Sequence, residues 1–172
     1  MGVADFIWKV ALPREFAINA VVNGAIAYLL FWHRVDVPLT GWFGLASMLV
    51  PMSFLLPWLT SFFGVASFAW NPSVQQESLN LSRDLSKPTP EIMKPWKWGS
   101  YAIGLAFVHA LISFGATLLV LQTIDSAGFS LQLTGWGSVL SIAIGSGFAA
   151  CFFHRRSILK ANQAFLRAFL KA

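Results

Sequence analysis

Residues 98–121 read WGSYAIGLAFVHALISFGATLLVL, and this stretch decides the fold of the 172-residue chain. It contains no Asp, Glu, Lys or Arg, and His109 lies near its middle. A helix that crosses a membrane needs roughly 20 mostly apolar residues, because it rises about 1.5 Å per residue through a hydrocarbon layer about 30 Å thick. Residues 98–121 therefore predict a membrane-spanning helix.

The composition of the whole chain also indicates a membrane protein. Hydrophobic residues make up 56% of the sequence and charged residues only 11%, whereas a soluble domain carries about 25% charged residues. The 16 Phe and 8 Trp suit lipid-facing and interfacial positions. Because Cys151 is the single cysteine, an internal disulfide and a cysteine-based metal cluster are excluded.

Three further apolar stretches have the length of a span. We predict spans at about 12–32, 42–69, 98–121 and 133–153 within a single membrane domain covering residues 1–172. Lipid cannot satisfy unpaired backbone groups, so the spans should be helices. The first stretch ends without the small residues of a signal-peptide cleavage site, and we interpret it as retained. The predicted fold class is all-α, a four-transmembrane-helix bundle.

The basic residues are distributed unevenly around these spans. Of the 12 Lys and Arg, 11 fall in the N-terminal part up to Arg14, in the loop 70–97 or in the C-terminal tail, and only Arg34 lies elsewhere. Cytoplasmic segments carry such an excess. We therefore predict that both termini and the loop 70–97 are cytoplasmic. The loop should link two helical hairpins and form a short helix near Gln75–Leu85, capped by Ser73.

The C-terminal tail, residues 155–172, has the pattern of a basic amphipathic helix. Apolar side chains such as Ile158 and Phe165 share one face. Such a helix suits the surface of an anionic inner leaflet, and we expect no nucleic-acid partner. A surface helix that simply continues the fourth span is the alternative. The predicted membrane-surface residues are Arg155, Arg156, Lys160, Arg167 and Lys171.

Small residues line two of the predicted spans and should allow close helix contact. Polar residues and prolines also fall inside the spans. Asn amides in lipid need hydrogen-bond partners. A proline within a helix leaves a backbone carbonyl unpaired. Transporters use such carbonyls around their substrates, but prolines in structural bundles also leave carbonyls unpaired. These features predict a possible intramembrane polar site. The small-residue faces are Gly137, Ser141, Gly145 and Ala149, and Ala102, Ala106, Ala110 and Ser113. The polar-site residues are His109, Asn19, Asn23, Ser53, Pro51 and Pro57.

His109 is the most notable member of this site, because an ionisable residue inside a membrane is a functional candidate by default. On the predicted spans it lies at the bilayer centre, with His33 and His154 each roughly 15 Å away in depth. A haem held by two histidines of one chain is therefore not expected. We favour a neutral His109 bonded to Asn19 or Asn23. A transport role and a single-histidine haem or chlorophyll-type ligand are the alternatives.

Three short runs resemble a group of small bacterial inner-membrane proteins that carry provisional permease names and have no established reaction. The runs are Val22–Ala27, Val37–Leu39 and Phe54–Thr60. The resemblance implies a bacterial inner-membrane protein, without implying a substrate, a cofactor or a catalytic residue.

Conventional catalysis is not predicted, because no nucleophile, base and acid share one depth and no phosphate-binding loop or metal cluster is present. We expect no catalytic residues, no metal site and no cofactor. The favoured function is a non-enzymatic accessory or scaffold protein, in a homo-oligomer or a larger membrane complex. A small oligomeric permease is the alternative, and a single-histidine cofactor binder ranks third.

Overall fold

The computed structural model describes residues 2–40, 44–81, 95–128 and 132–171, which are mostly helical. A helical segment runs from α1 (Val3–Phe6) through a π-helical stretch, Ile7–Ala11, into α2 (Leu12–Phe31). Two two-residue strands, β1 and β2, pair with each other. The helices are α1 Val3–Phe6, α2 Leu12–Phe31, α3 Ala46–Ala69, α4 Pro72–Leu81, α5 Pro95–Ser126 and α6 Gly135–Lys171, and the strands are β1 Val37–Pro38 and β2 Gln132–Leu133.

Three of the described helices, α3, α5 and α6, are long and apolar enough to cross a membrane. This confirms the all-α class and agrees with a membrane location. Helix α2 coincides with the predicted first span but is not among the three. Helix α3 runs through both Pro51 and Pro57 as one helix. Its predicted start at Trp42 lies outside the described residues.

Helix α6 is the central packing element. It packs against α2 on one side and α3 on another, while α5 packs against α3. Glycines allow these close approaches, as small residues do between helices in lipid. A Cβ atom added at Gly24 would lie 3.0 Å from the Ala143 side chain, and one added at Gly64 would lie 2.8 Å from the His154 carbonyl oxygen. Helix α5, whose main neighbour is α3, lies at the edge of the bundle.

The bundle has two distinct ends. At the end that we call the hairpin end, β1 and β2 join the α2–α3 and α5–α6 connections, with Val37 opposite Leu133. At the opposite end, which we call the terminal end, α1, α4 and the last turns of α6 enclose a second apolar cluster. Phe31 is buried in an apolar cluster at the hairpin end, and Phe165 is buried in the cluster at the terminal end.

The tail differs from its predicted place on the membrane surface in two respects. It is not a separate helix, because α6 continues unbroken from Gly135 to Lys171. The tail therefore continues the fourth span, as in the alternative given in the sequence analysis. Part of its apolar face is also covered by protein, since Ile158 and Phe165 are fully buried against residues of α1, α3 and α4, whereas Leu159 is 37% exposed. A helix that covers apolar side chains in this way has less apolar surface left for lipid.

The starts of α4 and α6 follow local capping rules, whereas those of α1, α2 and α3 have no side-chain cap. Thr134 precedes α6, and its hydroxyl accepts a hydrogen bond from the Gly137 backbone N–H at 3.0 Å. The predicted cap of the short loop helix is wrong: Asn71 rather than Ser73 caps α4, accepting the Val74 N–H at 3.4 Å. Proline at the first position of α4 favours this start, because its missing N–H would be unpaired there in any case. Residues 82–94 of the predicted loop lie outside the described residues.

Candidate functional site

His109 is buried between α5 and α3. Its Nδ1 atom lies 2.8 Å from the Ser61 hydroxyl oxygen, and its ring centroid lies 5.5 Å from that of Phe153 on α6. The residue exposes only 4% of its surface. The structure therefore gives His109 a hydrogen-bond partner on α3. The sequence predicts that His109 has a partner across a helix interface, but it does not predict that this partner is Ser61.

The predicted partnership of His109 with Asn19 or Asn23 is wrong. The main neighbour of α2 among the described helices is α6, and the amide groups of both asparagines bond within α2. Asn19 donates to the Glu15 carbonyl oxygen at 2.9 Å, and Asn23 donates to the Asn19 carbonyl oxygen at 3.0 Å. Both amides therefore satisfy part of their hydrogen bonding within their own helix.

A second histidine, His154 of α6, is fully buried. Its Nδ1 atom lies 3.2 Å from the Thr60 carbonyl oxygen and 3.7 Å from Glu15 Oε1. Both neighbours are acceptors, so Nδ1 carries the proton in this arrangement. The other ring nitrogen, Nε2, has no hydrogen-bond partner among the described residues. His154 thus links α6 to both α2 and α3.

Glu15 is the functional candidate that the sequence reasoning missed. It lies near the start of α2, and its carboxylate is buried, with 6% of the residue exposed. One carboxylate oxygen lies 3.4 Å from the Arg14 guanidinium and the other 3.4 Å from the Asn19 amide. A signal was present: residues 15, 19 and 23 recur every four positions, which places them on one face of a helix.

The two buried histidines lie in one layer of the bundle. They contact Thr60 and Ser61, which are consecutive residues of α3. His109 lies about 25 Å from the end of α5 at Ser126, and His154 about 28 Å from the start of α6, at 1.5 Å per residue. The predicted depth difference of 15 Å between His109 and His154 is therefore wrong. Hydropathy ended the fourth span at residue 153, whereas the helix continues well beyond it.

An elongated groove of about 650 Å³ lies beside this layer, with walls from α5 and α6 and a floor from α3. Its lining is mostly apolar. Three of the predicted polar-site residues, Ser53, Pro57 and His109, line it, whereas Pro51, Asn19 and Asn23 do not. The other polar groups of the lining are Ser113, Thr117, Ser146 and Arg156.

The predicted small-residue face of the fourth span meets this groove instead of another helix. Gly145 and Ala149 line the groove, and a Cβ added at Gly145 would meet nothing within 4 Å. Helix α2 instead meets a neighbouring stripe of α6 that includes Gly147. The small residues of α5 are used within the chain, because Ala106 and Ala110 are fully buried.

The basic residues of the tail occupy different sides of α6. Arg156 lines the groove, and Lys160 and Arg167 line a second pocket of about 420 Å³ together with Tyr101 of α5. Arg155 points elsewhere, with its guanidinium 5.6 Å from the centre of the Trp8 ring. The side chain of Lys171 lies outside the described part of the structure.

No protein-family model, curated protein or solved structure matches this chain. Among the described residues, no three His, Cys, Asp or Glu side chains are grouped as metal ligands. The single cysteine, Cys151, donates a hydrogen bond from Sγ to the Leu12 carbonyl oxygen at 3.3 Å. The chemistry available in the described residues is therefore that of a buried polar layer beside an apolar groove.

Proposed function

We propose that the chain is a four-span protein of a bacterial inner membrane, in which α2, the predicted first span, crosses the membrane together with α3, α5 and α6. Helix α2 has 20 residues and is therefore about 30 Å long, which equals the thickness of the hydrocarbon layer. Its packing along α6 supports this assignment. The resemblance of residues 22–27, 37–39 and 54–60 to small bacterial inner-membrane proteins supports the location.

We further propose that the terminal end faces the cytoplasm. Of the two ends, the terminal end carries most of the described basic residues, including Lys9, Arg14 and Arg155, whereas Arg34 lies at the hairpin end. A cysteine introduced for Asp36 at the hairpin end should react with a membrane-impermeant maleimide from outside the cell, in a background with Cys151→Ser. Reaction only after the membrane is opened would contradict this orientation.

We propose that the protein acts without catalysis, as a permease-like protein that binds an elongated, membrane-borne amphipathic molecule. The groove between α5 and α6 carries this proposal. Its volume of about 650 Å³ falls within the range of roughly 300–1,000 Å³ that is usual for small-molecule sites. An apolar lining with a few polar groups suits a ligand that is mostly hydrocarbon.

His109 supports the same function as a polar anchor in the groove wall. Ser61 fixes one ring nitrogen of His109 from the α3 side, and the residue is itself part of the lining. A fixed imidazole in an apolar wall can orient a single polar group of a ligand, as the few polar groups of small-molecule sites do. His109 is therefore assigned to ligand orientation and not to proton transfer.

An accessory or scaffold role is the second candidate, favoured by the unused small-residue face of α6. Ser141 and Gly145 are exposed in the isolated chain. A transmembrane helix of a partner, or of a second copy in a homo-oligomer, could approach α6 closely there. Because Gly145 also lines the groove, a partner helix and a small ligand would compete for the same space.

Replacing Gly145 with leucine tests the groove. The matched control is Gly104→Leu on α5, because neither glycine has a neighbouring atom within 4 Å of an added Cβ and only Gly145 lines the groove. We expect a dansyl-labelled long-chain fatty acid to bind the purified protein in detergent. Gly145→Leu should weaken this binding at least tenfold, whereas Gly104→Leu should leave it unchanged.

Equal binding by the two variants would overturn the groove as the ligand site. Loss of a co-purifying membrane protein in Gly145→Leu alone, without any binding of the fatty acid to the wild type, would favour the accessory role.

A further inference from the structure

The groove ends in a cluster of positive charge. Arg156 is the one charged residue of its described lining, and Lys160, one helical turn further along α6, begins the basic pocket that also contains Arg167 and Tyr101. Among the described residues, no carboxylate lies within 4 Å of any of these three cations. The described carboxylates with ion-pair partners, Asp5 and Glu15, belong to the α1–α2 segment.

The groove is long enough to hold an acyl chain of one lipid leaflet. Its α6 wall runs from Gly145 to Arg156, a rise of about 16 Å, and its α5 wall runs from His109 to Ile124, a rise of about 22 Å. One leaflet supplies about half of the 30 Å hydrocarbon thickness, or about 15 Å. An acyl chain of one leaflet therefore fits along the α6 wall between Gly145 and Arg156. The rest of the groove continues towards the hairpin end, because Ile124 lies about 3 Å from the end of α5 at Ser126.

The position of Arg156 along α6 agrees with this register. It lies 21 residues after the start of α6 at Gly135, which corresponds to about 31 Å. When Gly135 is placed at one surface of the hydrocarbon layer, Arg156 reaches the opposite surface, where phosphate groups are found. Lys160 and Arg167 then extend into the headgroup region on the same side.

We propose that the groove and the adjoining basic pocket together bind one anionic phospholipid of the cytoplasmic leaflet. An acyl chain occupies the apolar groove, and the headgroup phosphate is bound by Arg156 and Lys160, with Arg167 and Tyr101 at its far side. Basic pockets between transmembrane helices on the cytoplasmic side bind anionic headgroups in this way. The inference rests on the proposed function, for which it names the ligand class.

This assignment divides the tail residues that the sequence grouped together. Arg156, Lys160 and Arg167 belong to the lipid site, whereas Arg155 stacks over Trp8 on another side of α6. A general attraction to an anionic surface would involve all of them equally. A bound phospholipid involves only the first group, and the difference can be measured.

The test compares Arg156→Gln/Lys160→Gln with Arg155→Gln in the full chain, purified in a mild non-ionic detergent. Phosphatidylglycerol and phosphatidylcholine with the same acyl chains are titrated separately, and bound lipid is counted by native mass spectrometry. We expect one phosphatidylglycerol per chain, bound at least tenfold more tightly than phosphatidylcholine. The double variant should bind it about 25-fold more weakly, since each cation near a lipid surface contributes about a fivefold effect.

Arg155→Gln should bind phosphatidylglycerol within twofold of the wild type. Equal weakening by Arg155→Gln and by the double variant, or equal affinity of the wild type for both lipids, would overturn the lipid assignment. The Gly145→Leu variant separates the two proposals. If it loses lipid that the double variant retains, the groove binds a ligand that the cations do not select, and only the present inference fails. If Gly145→Leu retains all binding, the proposed function fails as well.

Discussion

The close contact between α3 and α6 at Gly64 makes a strong prediction about stability. A Cβ atom at this position would lie 2.8 Å from the His154 carbonyl oxygen and 2.9 Å from the Ser157 Cβ atom. Both obstacles belong to the α6 backbone or to atoms fixed by it, so rotation of a flexible side chain cannot relieve them. Gly64→Ala therefore forces the two helices apart by several tenths of an ångström.

The expected magnitude follows from two opposing effects. Overpacking a well-packed contact costs about 1–3 kcal/mol, whereas alanine stabilises a helix interior over glycine by about 1 kcal/mol. Gly64→Ala should therefore lower the free energy of unfolding by up to about 2 kcal/mol. Gly104→Ala is the matched control, because its added Cβ meets nothing within 4 Å. It should gain about 1 kcal/mol, so the two variants should differ by about 1–3 kcal/mol.

The measurement is reversible unfolding in mixed SDS and dodecylmaltoside micelles, followed by circular dichroism. Ser157→Gly provides a further check in a double-mutant cycle, since it removes the 2.9 Å contact but leaves the carbonyl in place. We expect Ser157→Gly to recover part of the loss caused by Gly64→Ala. Equal stabilities of the Gly64→Ala and Gly104→Ala variants would refute the close contact on which this reasoning depends.

Three further predictions concern the buried histidine layer and the terminal end. Ser61→Ala leaves the buried His109 Nδ1 without its partner, so it should cost about 1–3 kcal/mol in the same unfolding assay, and a loss below 0.5 kcal/mol would contradict the bond. Phe165→Ala should cost about 3–5 kcal/mol, because the ring is fully buried at the terminal end; a loss below 1 kcal/mol would show that the tail lies on lipid instead. The hydrogen bond from Lys9 lowers the pKa of Asp5, so the stabilising effect of this pair is present at neutral pH and is lost as the pH falls through the lowered pKa. Asp5→Asn should therefore make the melting temperature slightly less sensitive to acid, and an unchanged acid dependence would count against the pair.

The helical class of this chain was predictable because apolar length alone determines it. A run such as residues 98–121 has no alternative in lipid to a hydrogen-bonded helix, and α5 covers it completely. The helix ends were less predictable. Hydropathy falls where a helix leaves the membrane, but the helix itself continues when protein covers its apolar face, as it does around Phe165.

The polar site was predicted in part, because sequence shows which residues are unusual but not which helices are neighbours. His109, Ser53 and Pro57 do share the groove. The pairing of His109 with α2 failed because packing order in the bundle is a tertiary property that no local pattern specifies. Glu15 was missed for a related reason: its burial depends on α6, which places His154 Nδ1 3.7 Å from the Glu15 carboxylate, and no local pattern specifies that contact.

Helix α6 has a mechanical consequence that follows from its length. Its 37 residues extend about 55 Å, so about 25 Å of the rod projects beyond a hydrocarbon layer about 30 Å thick. A rigid rod transmits torque along its whole length. A force applied to the exposed side of the projecting part would therefore tilt the wall of the groove at Gly145. Contact of another molecule with the projecting part of α6 would then widen or narrow the groove from outside the hydrocarbon layer.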